Sequence, residues 1–165
     1  MSTQLYFEVQ KFRKWWLWIT MLGVNSIFVY GLIQQIFLGK PFGNNPMSDT
    51  GLSLAAFFML ILSLLVFNMR METQIKPDGI YLRFFPFHFK YKFFPWSDIN
   101  KAYVRQYNPI KEYGGWGLRV GAFNVSGNMG LQLEFKNGKA LLIGSQKPEE
   151  VKHILIRLGK DKSAE

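Results

Sequence analysis

The chain has 165 residues, 48% of them hydrophobic, and carries 20 lysines and arginines against 11 aspartates and glutamates, a formal charge of +9. It contains no cysteine and only two histidines, His88 and His153. That excludes a disulfide framework, a thiolate nucleophile and a histidine metal cluster, and it fits a domain facing the cytosol.

Residues 1–14 form a short basic segment with Lys11, Arg13 and Lys14 against Glu8. Residues 15–39, between Lys14 and Lys40, hold no formal charge, and neither do residues 50–69, between Asp49 and Arg70. As helices these runs reach about 37 Å and about 30 Å, enough to cross a hydrocarbon core of about 30 Å. The first is too long for the apolar core of a secretory signal peptide and reads as an uncleaved anchor.

Basic residues flank the outer ends of the two runs, whereas the connecting loop 40–49 holds only Lys40. The positive-inside bias therefore places both termini in the cytoplasm. Trp15, Trp16 and Trp18, next to Lys11, Arg13 and Lys14, fit the aromatic belt and basic anchors of that face, with Arg70 at the end of the second span. Within the spans Asn25 is the deepest polar residue. Counted from the helix ends it lies about 15 Å in and Ser63 about 9 Å in, a poor match for a bond across the hairpin. A bond to backbone or to the same residue of a second copy is at least as expected as one across the hairpin.

Residues 70–165 carry 16 basic against 9 acidic side chains and have room for one small domain. Alternation and turn signals place strands over 71–76 and 80–85 around Pro77-Asp78-Gly79, then over 87–93, 99–107, 116–125, 130–135 and 140–143. In the 87–93 strand Phe87, Phe89, Tyr91 and Phe93 would form the core face, and His88, Lys90 and Lys92 a basic outer face. Asn137-Gly138 reads as a type I′ hairpin turn. Lys147-Pro148-Glu149-Glu150 starts a helix carrying Val151, Ile154, Leu155 and Leu158, which ends near Gly159. Seven strands and one amphipathic helix make an α+β domain, a small barrel or sandwich capped by the helix.

This order, with Phe94-Pro95-Trp96-Ser97-Asp98-Ile99, Gly115-Trp116-Gly117-Leu118-Arg119 and Leu142-Ile143-Gly144-Ser145-Gln146-Lys147-Pro148 in sequence, resembles bacterial PH-like domain proteins that carry the domain on two N-terminal transmembrane helices. The resemblance implies a PH-like fold without an assigned enzymatic activity and carries over no binding residue. Phosphoinositide binding does not follow from fold alone.

His88, Lys90 and Lys92 are the candidate lipid or anion contacts, because basic side chains beside an anionic leaflet gain about 1 kcal/mol each. The alternative is a solvated strand face. Gly114-Gly115-Trp116-Gly117 lacks the spacing of a phosphate loop and reads as a sharp strand entry. Ser97, Asp98 and His88 lack the nucleophile elbow of a triad. The aromatics fall on the opposite face from the lysines, which argues against nucleic acid. The resulting expectation is a non-catalytic, membrane-tethered binding or scaffold module without a cofactor, engaging a protein partner or the inner leaflet. The alternatives are a structural subunit of a larger membrane complex and a lipid-headgroup-binding domain.

Overall fold

The computed structural model describes residues 5–12 and 14–161, so Arg13 lies outside the described residues. Two compact units emerge: one of Arg13–Asn68, and one of Met1–Phe12 together with Met69–Glu165.

The first unit is a helical hairpin. Helix α1 spans Trp15–Leu32 and continues as a π turn over Ile33–Phe37, and α2 spans Asp49–Asn68. Both are long and apolar enough to cross a membrane. Large apolar side chains such as Ile19, Leu22, Val29, Leu54, Phe58 and Leu64 are exposed on them. That distribution belongs to helices hydrophobic on most sides.

The pair is held at three levels. Trp18 packs edge-on against Phe67 at 5.7 Å. Asn25 Nδ2 donates to Ser63 Oγ at 2.8 Å and to the Met21 carbonyl at 2.7 Å. In the loop, Gln35 Nε2 donates to the Met47 carbonyl at 2.7 Å and to Asp49 Oδ1 at 2.8 Å. The Asn25–Ser63 bond corrects the expectation that these residues are mismatched in depth. Trp18 packs on Phe67, so α1 begins about two residues, or about 3 Å, beyond the level at which α2 ends, an offset that counting from each helix end ignores. Gly31 lies under the Phe42 ring, where a Cβ would come within 2.9 Å of Phe42 Cδ1.

The second unit is α+β. One sheet is an antiparallel meander of β1 (Tyr6–Lys11), β2 (Arg70–Lys76), β3 (Gly79–Phe85) and β4 (Lys92–Pro95), in that order. The other contains β5 (Ile99–Gln106), β6 (Gly117–Arg119), β7 (Ala122–Asn124), β8 (Met129–Phe135) and β9 (Ala140–Gly144), ordered β5-β8-β9-β7-β6. Short α3 (Pro109–Tyr113) follows β5, and α4 (Pro148–Arg157) closes the unit. The strands form two open sheets, not a closed barrel, and the described residues hold nine strands in place of seven.

The core lies between the sheets. Met71, Ile75, Ile80, Leu82 and Phe84 meet Leu131, Leu133 and Ile143, and α4 adds Val151 and Leu155 at the spacing its sequence displays. Trp96, in the corner between β4 and β5, is buried and donates its indole N–H to the Lys76 carbonyl at 3.0 Å.

Three local expectations are corrected. Residues 87–93 are not a strand with an aromatic core face: Pro86 to Tyr91 form a loop, and β4 begins only at Lys92. Phe87, Phe89 and Phe93 are exposed, Phe89 by 74%. Pairing with β3 sets the face, since Leu82 is opposite Lys92 and Ile80 opposite Phe94, so Phe94 and the exposed Lys92 share one face while Phe93 stacks on Tyr81 on the other. A register one residue out inverts every side chain.

The 116–125 run is a hairpin, β6–β7, turning at Val120-Gly121, where Gly121 has φ 77°. The β8–β9 turn is not type I′, because that turn needs two left-handed residues and only Gly138, at φ 78°, is left-handed.

A strand also appears where none was expected. Within the N-terminal segment 1–14, Tyr6–Lys11 pairs along its whole length with β2, from Tyr6 opposite Ile75 to Lys11 opposite Arg70.

Candidate functional site

Three polar features of the β unit are chemically distinctive. The first is a buried seam along β1. Tyr6, Glu8 and Gln10 face inward. Glu8 Oε2 accepts from Tyr6 Oη at 2.7 Å and Ser145 Oγ at 3.0 Å, and Glu8 Oε1 accepts from the Gln146 N–H at 2.8 Å. Gln10 Nε2 donates to the Gly144 carbonyl at 2.7 Å. Burial raises the Tyr6 pKa well above that of an ordinary phenol; the Ser145 bond opposes this and Glu8 reinforces it. The seam joins the first sheet to the β9–α4 connection. Its role is architectural, since both Glu8 oxygens accept within the fold, while Gln10 Oε1 is buried without a partner.

The second feature is a carboxylate on the outer face of the first sheet. Glu72 lies 2.8 Å from Arg70 Nε and 2.5 Å from an Arg83 terminal nitrogen, and accepts from Tyr91 Oη. Burial alone would raise its pKa, but the Tyr91 and Arg83 hydrogen bonds and the charges of Arg83 and Arg70 outweigh burial and lower it. Arg70 also lies 5.0 Å over the Phe85 ring. The proposed interface residue Arg70 is thus committed to an ion pair.

The third is a groove of about 590 Å³ between β4 and the β7, β8 and β9 region. Phe94, Phe123 and Phe135 supply aromatic walls, with the Phe94 and Phe135 rings 5.7 Å apart. Lys92, Lys136 and Lys139 line it together with a single acid, Asp98. Lys92 Nζ stands 5.4 Å over the Phe123 ring, and the His88 ring lies 5.8 Å from that of Phe123. Burial, and next the Lys92 charge, lower the His88 pKa by disfavouring its charged form.

Of the trio His88, Lys90 and Lys92, the structure brings together His88 and Lys92 on Phe123; Lys90 is exposed in the β3–β4 loop. Lys136 and Lys139 were missed as site residues. The signal lay in the lysines bracketing Asn137-Gly138, which the turn reading absorbed. Among the other named residues, Trp15 and Trp16 are exposed, Trp18 packs on Phe67, Lys14 precedes α1, and Lys11 is the register partner of Arg70. The glycine-rich segment is structural: Asn108 Oδ1 caps α3 at Ile110 N and Lys111 N, Gly114 ends that helix at φ 69°, and Trp116 Nε1 donates to the Gly127 carbonyl at 3.0 Å.

The sequence model of a family described as a family of unknown function, DUF6141, matches residues 2–159. The chain belongs to DUF6141. That match runs from before β1 through α4, so the family's sequence pattern takes in the helical hairpin, both sheets and the groove of this DUF6141 chain. No curated protein matches it.

Proposed function

We propose that this chain is a non-catalytic binding module tethered in a bacterial cytoplasmic membrane, presenting a PH-like domain to the cytoplasm for contact with a protein or the inner leaflet. The observation that carries the reading is the place of the apolar helices: they are inserted between two strands that pair with each other, with Lys11 opposite Arg70. A membrane segment that leaves and re-enters one sheet at one point crosses an even number of times, and two spans of sufficient length are present. The distribution of Lys and Arg then favours the cytoplasm for the domain.

Support for the PH-like reading comes from topology. A four-stranded meander is followed by β5, β8 and β9 as a second meander and by a C-terminal helix packed on the core. With the short β6–β7 hairpin set aside, that is seven strands and a capping helix. The non-catalytic reading draws on the chemistry of the polar groups: His88 neighbours Phe123 and Lys92, while Ser97 Oγ donates to Asp98 within one turn.

A structural subunit of a larger complex is the second reading, favoured by the edge strand β1, whose outward Phe7 and Val9 are exposed by 46% and 41%. Purification of the full chain from its membrane in mild detergent separates the two. The module reading expects a monodisperse free protein. A stoichiometric complex that survives size exclusion would replace it with the subunit reading.

A further inference from the structure

The groove beside β4 carries an excess of positive charge that no ion pair among the described residues balances. Three ammonium groups, those of Lys92, Lys136 and Lys139, share it with one carboxylate, and Asp98 Oδ1 already accepts from Ser97 Oγ at 3.1 Å. Among the described residues none of these lysines is ion-paired with an acid. A groove lined by an excess of one sign of charge favours a ligand of the opposite sign. The walls between them are aromatic and aliphatic, with Phe94, Phe123 and Phe135 open to the same space. A volume of about 590 Å³ falls within the range of about 300–1,000 Å³ typical of small-molecule sites.

We propose that this groove binds a single-chain amphiphile with an anionic head, a fatty-acyl carboxylate being the minimal case. The chain lies against Phe94, Phe123 and Phe135, and the head sits among Lys92, Lys136 and Lys139. An inorganic anion would leave the aromatic walls in water, and an uncharged hydrocarbon would leave the lysines uncompensated; one molecule carrying both properties satisfies both. Lysine ammonium groups are compact, rotatable charges suited to a small head group. An extended acidic peptide is better held by a strand edge with alternating pockets. The proposal rests on the binding-module reading and names the ligand class of that module.

The test uses the full chain in phosphatidylcholine nanodiscs and a palmitate analogue bearing a photoreactive diazirine, with adducts mapped by mass spectrometry. Adducts are expected within 92–94, 121–123 and 135–141, competed by palmitate and not by hexadecanol or inorganic phosphate. Lys92→Glu with Lys139→Glu should weaken groove labelling about tenfold, which corresponds to about 1.4 kcal/mol. Lys152→Glu, a charge reversal on the exposed side of α4, should leave it unchanged. Adducts confined to residues 15–68, equal competition by hexadecanol, or capture of a photoreactive acidic peptide in preference to palmitate would each overturn the proposal. The wild-type competition result stands even if the double variant fails to fold. Failure here leaves the tether reading intact, because membrane topology is read separately.

Discussion

Phe84→Ala is expected to destabilise the β unit by about 3–5 kcal/mol, whereas Phe89→Ala, five residues away, should change stability by less than about 0.5 kcal/mol. Phe84 is fully buried on the inner face of β3, with its ring 6.3 Å from Phe12 and 6.4 Å from Phe123. Truncation there removes contacts from both sheets and leaves a cavity the strands cannot close. Phe89 is 74% exposed in the β3–β4 loop. Lys90→Ala, also in that loop, serves as a neutral control. Denaturant unfolding of the full chain in detergent, followed by tryptophan fluorescence, reads all three. Similar losses at Phe84 and Phe89 would mean that the loop is a strand after all and that the β4 register is wrong.

The second large effect is expected at Glu8. Glu8→Ala leaves the hydroxyls of Tyr6 and Ser145 and the Gln146 N–H without the acceptor they share, at a buried position, and should cost about 2–4 kcal/mol. Glu8→Gln keeps the shape and one carbonyl acceptor, so its loss should be smaller. The same unfolding measurement applies, with proteolysis in the segment before α1 as a second readout. A Glu8→Ala protein as stable as the parent would show that β1 contributes nothing to the unit. It would also remove the basis for treating the helices as an insertion between paired strands.

Much of the architecture is legible in the residues, for identifiable reasons. The helical runs stand out because each is an uninterrupted apolar stretch without a formal charge. Strands β2, β3, β5, β8 and β9 alternate cleanly or are bounded by turn residues, and α4 begins with proline and two glutamates. Strand β1 escapes because its polarity is inverted: Tyr6, Glu8 and Gln10 are buried while Phe7 and Val9 face outward. A rule that sends hydrophobes inward reads such a strand as a tail. For the same reason a fragment beginning at Met71 is not the natural unit, since it lacks a strand of the first sheet.

The groove was only partly legible, through Lys92. Alternation over 87–93 puts Lys92 on an outer basic face with His88 and Lys90, whereas pairing with Leu82 sets it, still exposed, beside Phe123. Lys136 and Lys139 reach the same groove from a turn more than forty residues later, a proximity that only the tertiary fold creates.

The proposed tether requires the two helices to cross the membrane with the β unit on its cytoplasmic side. The chain has no native cysteine, so single cysteines report position without background. Ser48→Cys, in the loop before α2, and Lys152→Cys, exposed on α4, are each treated with a membrane-impermeant maleimide on intact cells. Labelling at residue 48 in intact cells, with residue 152 labelled only after permeabilisation, is the predicted result. Labelling at residue 152 with residue 48 protected, or identical access at both before permeabilisation, would contradict it.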